Sequence, residues 1–251
     1  MNPTASKLAK ITAWFWIIKI TATTLGETLS DYLAHDEGLA LGYAVTAGIV
    51  ITFFLITLFL QLRATKHHPT LFWLVILSTS VAGTSISDFI DRTLHIGYTG
   101  GSAILAALLV VIFWLWKSNG GELSVSSIQS RRDESYYWIA ILISNTLGTA
   151  LGDLLADSSG LGFAGGAELI GGLLLITFLV YYFTKVSHVL LFWVAFVLTR
   201  PFGATLGDTL TKSHEQGGLA LGTAASSAVL MAVLVFSIIY SNRNRNSETL
   251  E

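Results

Sequence analysis

Hydrophobic positions run almost unbroken through eight stretches, near 14–34, 39–62, 71–91, 99–117, 136–156, 162–184, 188–210 and 218–240, with polar positions gathered between them. Each stretch has about the 20 residues that a helix needs to cross a hydrocarbon core. Ala103 to Trp116 is apolar at nearly every position, whereas a strand of a membrane barrel alternates apolar with polar. The pattern predicts an all-α membrane protein with eight transmembrane helices. The first stretch has no convincing cleavage site and carries a motif repeated in three later stretches, so it is expected to remain in the mature protein.

Self-similarity groups the helices in pairs. Gly26-Glu-Thr-Leu-Ser-Asp31, Gly83-Thr-Ser-Ile-Ser-Asp88, Gly148-Thr-Ala-Leu-Gly-Asp153 and Gly203-Ala-Thr-Leu-Gly-Asp208 follow one pattern. Trp16, Trp73, Trp138 and Trp193 each stand 15 residues before their aspartate, and a glycine-rich stretch follows each motif. A two-helix unit returns the chain to its starting side, so four repeats share one orientation about the membrane normal. The first and third aspartates are 122 residues apart and the second and fourth 120, which suggests a doubled half and pseudo-twofold symmetry within a pseudo-fourfold plan. The halves are then 1–117, with repeats 14–62 and 71–117, and 136–240, with repeats 136–184 and 188–240. A polar linker, 118–135, joins them, and a frayed polar tail, 241–251, ends the chain.

With its four Gly-x-x-x-x-Asp motifs in paired helices, the chain resembles the bacterial integral membrane proteins built from four copies of a "repeat of unknown function". That resemblance covers about residues 14–240 and implies an architecture without an activity. A looser likeness, to membrane cation/proton exchangers with Glu-x-Gly-Asp helices, rests on Gly152-Asp153 and Gly207-Asp208. Where those exchangers have glutamate, this chain has Ala150 and Thr205.

Composition narrows the chemistry. The chain is 53% hydrophobic and 12% charged, against about 25% charged in soluble domains. The absence of cysteine excludes thiolate metal sites and cysteine nucleophiles, and a net charge of −2 leaves no footprint for nucleic acid. Alternating the spans puts Lys7, Lys10, Arg63, Lys66, Lys117, Arg131, Arg132, Lys185, Arg243 and Arg245 on one side and only Arg92 and Lys212 on the other. Both termini are therefore expected to be cytoplasmic, in a bacterial inner membrane.

The residues that a bilayer tolerates least are the candidates for function. Asp31, Asp88, Asp153 and Asp208 are expected at one depth. Glu27 lies one turn inward of Asp31, and Glu168 sits early in the sixth span. Oxygen ligands without thiols favour a hard cation, so these six form the candidate metal set for a divalent-cation transporter or exchanger, with proton coupling as an option and Mn²⁺ as first choice. Lys19 and Arg200 are candidate charge-pairing or gating residues within the first and seventh spans. Asn145, at the position equivalent to Arg200, reads as interhelical glue, and the tryptophans read as belt anchors at the membrane surface.

Two other readings compete. A structural or partner-binding protein would use the aspartates as interhelical hydrogen-bond glue. An intramembrane aspartyl protease would use two facing aspartates, although fourfold copying exceeds what a dyad needs. The sequence-based expectation is a non-enzyme without a resident cofactor, whose partners are the lipid bilayer, a small inorganic cation and a possible second copy of the chain.

Overall fold

The computed structural model describes residues 8–128 and 130–248, with side chains through residue 243. Eight long helices make up the fold: α1 (Ala13–Ala34), α2 (Tyr43–Arg63), α3 (Pro69–Asp88), α4 (Tyr98–Ser118), α5 (Arg131–Asp153), α6 (Gly162–Phe183), α7 (His188–Thr211) and α8 (Thr223–Glu248). There is no strand among the described residues. Seven of the helices are long and apolar enough to cross a membrane. The charged Lys19, Glu27 and Asp31 lower the mean hydropathy of α1, which is instead enclosed by its neighbours. Helix α8 extends past Ser241 to Glu248. Lys7 and the last three residues lie outside the described residues.

The topology is a double ring. Helices α1, α3, α5 and α7 each touch two neighbours and close an inner ring, while α2 packs on α3, α4 on α5, α6 on α7 and α8 on α1. The outer helix of every repeat therefore covers the inner helix of the next repeat, and the fourth repeat covers the first. Membrane-length windows of α3, α5 and α7 are 78%, 67% and 56% buried, against 28% for α2, α4, α6 and α8. Phe53, Phe59, Trp114, Phe178 and Phe236 stand exposed on the outer helices, as a lipid-facing surface requires. The first turn of α1 meets the end of α8, with the Trp14 and Tyr240 rings 4.9 Å apart, so the two ends of the described chain share one face.

The motif glycines explain how the inner ring closes. A Cβ on Gly26 would meet Ser80 and Val81 of α3, on Gly83 Asn145 and Thr146 of α5, on Gly148 Arg200 and Pro201 of α7, and on Gly203 Thr23 and Thr24 of α1. Each repeat thus offers a side-chain-free face to the next, where backbones approach as small residues allow between membrane helices.

At the end of the inner ring nearer the termini, aromatic pairs repeat the same cyclic order. Phe15 packs on Trp73 at 5.5 Å, Phe72 on Trp138 at 5.7 Å, Tyr137 on Trp193 at 6.1 Å and Phe192 on Trp16 at 5.8 Å between centroids. This corrects the expectation that the tryptophans anchor the membrane surface. Trp73, Trp116, Trp138 and Trp193 are buried, and Trp114 is the most exposed of the tryptophans, at 65%. Apolar ring area counts for more inside this junction than at the interface, where the indole would keep half its surface wet.

The connections add a grouping that the motif spacing does not contain. Gly38-Leu-Ala-Leu-Gly42 and Gly218-Leu-Ala-Leu-Gly222 fold back over their helix ends, each with a left-handed alanine, Ala40 and Ala220, both at φ 53°. Repeats one and four share this turn, whereas α3 and α5 run on through single π-helical turns, Phe89–Thr93 and Leu154–Ser158. The linker is also less independent than its polarity suggests. Val125 and Ile128 are buried, and the Trp193 indole donates to the Leu123 carbonyl at 2.9 Å.

Candidate functional site

Because the inner helices run parallel, equivalent residues of the four repeats fall into layers around a common axis. The motif aspartates form the layer farthest from the termini, and Asp31, Asp88, Asp153 and Asp208 are all buried. They are brought to one end of one ring, yet they do not form an open cup. Lys212 reaches between two of them, with its Nζ 2.8 Å from Asp31 Oδ2 and 3.3 Å from Asp208 Oδ1. Burial alone would lower the pKa of Lys212, but the Asp208 and Asp31 carboxylates outweigh it and raise the pKa. Arg92 Nε holds Asp88 Oδ1 at 3.0 Å, and His35 Nδ1 lies 3.7 Å from Asp31 Oδ1. Asp153 has no ion pair among the described residues and lies in the field of Asp208, Asp88 and Glu27, with Arg92 opposing them.

The next layer inward holds the second motif position. Glu27, Thr84 and Thr149 converge on Arg200, whose side chain is wholly buried. Its Nη2 donates to Glu27 Oε2 at 3.1 Å, to Thr149 Oγ1 at 2.8 Å, to the Ser80 carbonyl at 3.4 Å and to Thr84 Oγ1, while Nη1 reaches the Thr23 carbonyl at 3.4 Å. All four inner helices meet at this guanidinium. Its planar fork suits such divergent acceptors in a way that a lysine ammonium would not.

One layer farther, Lys19 Nζ donates to Asn145 Oδ1 at 3.2 Å and lies 4.1 Å from the centre of the Phe196 ring. Asn145 Nδ2 in turn donates to Thr79 Oγ1 at 3.0 Å. Lys19 has no carboxylate within ion-pair distance among the described residues, so the expected carboxylate pairing is corrected: Glu27 is already engaged by Arg200. Beyond Lys19 the buried layer of Phe15, Phe72, Tyr137 and Phe192 closes the axis.

Glu168 stands apart. It is exposed on the outer helix α6. Among the described residues, no three histidine or acidic side chains stand close enough to hold a metal ion. Lys212 occupies the position between Asp31 and Asp208 that a cation would take, and Arg92 pairs with Asp88. The site is a layer of four buried carboxylates, three of them paired with Lys212 or Arg92, above the buried Arg200 and Lys19.

In the sequence Lys212 and Arg92 bear only on orientation, and Thr84 and Thr149 carry no assigned role. The signal was in the register. Four residues after the motif aspartates come His35, Arg92, Asp157 and Lys212, one turn on along the same helix face, and the second motif position reads Glu, Thr, Thr, Ala.

The family model described as Repeat of Unknown Function (DUF347) matches residues 14–67, 71–121, 136–187 and 191–246. No curated protein matches the chain, and neither does any solved structure.

Proposed function

The chain belongs to the DUF347 family, a repeat whose description supplies no activity, and from the geometry we propose that this protein is a membrane transporter or exchanger for a small hard cation. The observation that carries the reading is the layer of four buried motif aspartates at one end of a closed helical ring, with Lys212 and Arg92 inserted among them. Four buried carboxylates demand positive charge, and in the closed state the protein provides it from its own side chains. A cation arriving from the motif face competes with Lys212 for Asp31 and Asp208, and it meets least competition at Asp153. Arg200 and Lys19 form the barrier beneath. Transport then requires the Lys212 and Arg200 contacts to exchange for contacts with cargo, a population shift between two arrangements of the ring. In this reading the termini face the cytoplasm, where lysine and arginine concentrate, and the aspartate mouth faces outward. Mn²⁺ is the first cargo to try, and the protein has no catalytic role.

Uptake into proteoliposomes tests the proposal, with Mn²⁺, Mg²⁺, Ca²⁺ and Na⁺ offered in turn. Asp153→Asn is expected to reduce flux of the transported ion by about tenfold or more while the purified protein melts near the wild-type temperature, since removing a carboxylate without an ion partner sacrifices no bridge. The competing reading, a structural protein with aspartate glue, is favoured by the sealed axis. It predicts no flux for any ion and a lower melting temperature for the variant.

A further inference from the structure

Lys19 is a buried cation of the axis that has no ion pair among the described residues. Its amine is wholly buried on α1, and its contacts are one neutral acceptor, Asn145 Oδ1, and one aromatic face, Phe196. Arg200, one turn beyond Phe196 on α7, puts a second positive charge on the same axis. From α5 it meets Asn145, and the hydrogen-bonded chain continues to Thr79 of α3. No carboxylate of α3, α5, α7 or α8 lies within 4 Å of it among the described residues, and Glu27 of its own helix is paired with Arg200. One hydrogen bond and one ring do not offset the desolvation of an ammonium. Unlike Arg200, whose guanidinium cannot release its proton, a lysine in such a place can exist as the free amine.

We propose that Lys19 is the proton-binding site of the axis: its amine takes up and releases the proton that is exchanged for the cargo cation. This deepens the transport reading and rests on it. The coupling is electrostatic. The layer beneath the mouth holds one carboxylate, Glu27, and one permanent cation, Arg200, so it has no spare negative charge. A cargo cation drawn toward Glu27 and a proton on Lys19 therefore exclude each other. Cation entry goes with conversion of the Lys19 ammonium to the amine and release of one proton, and cation exit goes with the reverse. No other reactant is needed.

Two measurements test this. In proteoliposomes loaded with a pH-sensitive dye, wild type is expected to move protons against a Mn²⁺ gradient. Lys19→Met should lower the number of protons moved per Mn²⁺ by about tenfold. Equal proton movement per ion in the variant overturns the proposal and leaves cation transport standing. Wild type that moves none of the four cations overturns the transport reading instead. The second measurement does not depend on transport: melting of the purified protein between about pH 6 and about pH 9. An amine unprotonated in the fold takes up a proton on unfolding, so wild type should gain stability with rising pH relative to Lys19→Met. Parallel pH curves for the two proteins, with the variant less stable throughout, would mean a permanently charged Lys19 and would overturn the assignment.

Discussion

Lys212, just past the end of α7, donates to Asp31 of α1 at 2.8 Å, across 181 residues of chain. That contact joins the fourth repeat to the first at the mouth, where Gly203 joins them midway along the helices and Phe192 with Trp16 joins them near the opposite end. Ring closure is therefore supported at three heights by three kinds of interaction.

Lys212→Met should destabilise the protein by about 1–2 kcal/mol, less than a fully buried pair because the lysine keeps part of its surface in water. Thermal melting in detergent measures it. Adding Asp31→Asn should recover part of the loss, since both partners of one bridge are then neutral. If the two effects simply add, the two residues do not act as a pair.

Arg200 should behave as the central tie of the ring. Arg200→Met and Glu27→Gln are each expected to cost about 3–5 kcal/mol, because each leaves a buried charge without its partner, and the double variant should cost less than their sum. Arg200→Lys should fail to restore stability, because one ammonium cannot reach Glu27, Thr149 and two backbone carbonyls on different helices. Denaturation series on the purified variants decide it.

Glycine substitutions separate ring closure from helix propensity. An alanine at Gly83 places its Cβ 2.9 Å from Asn145 backbone and Cβ atoms, so Gly83→Ala should destabilise by about 1–3 kcal/mol. Gly48 on α2 has nothing within 4 Å of an added Cβ. Gly48→Ala should therefore leave the melting temperature unchanged or raise it, by up to about 1 kcal/mol of helix propensity. Equal effects at both positions would contradict the close approach of α3 and α5.

The tryptophans give a spectroscopic check. Trp138→Ala should cost about 3–5 kcal/mol and remove a blue-shifted component of the emission, as expected for a ring enclosed by Phe72 and Tyr137. Trp114→Ala, at a ring 65% exposed, should change stability by less than about 0.5 kcal/mol.

Much of the architecture was legible in the chain because membrane helices obey a constraint that acts within one segment. Each must satisfy its own backbone and match the thickness of the hydrocarbon, so eight apolar stretches and four motif copies led directly to eight helices in four like repeats. The shared depth of the aspartates followed from the same register. The partners of those aspartates did not, because Lys212, Arg92 and Arg200 could each have served any of several acids.

Sequence alone thus determined the number of helices, their grouping and the burial of four carboxylates near one end. Only the tertiary structure decided that each outer helix covers the next repeat rather than its own, that Arg200 gathers Glu27, Thr84 and Thr149, and that Lys19 is left with Asn145. The reason is physical. A lipid solvent does not distinguish one apolar helix partner from another, so the choice falls to glycine faces and side-chain directions, which exist as a fit only once two helices stand side by side.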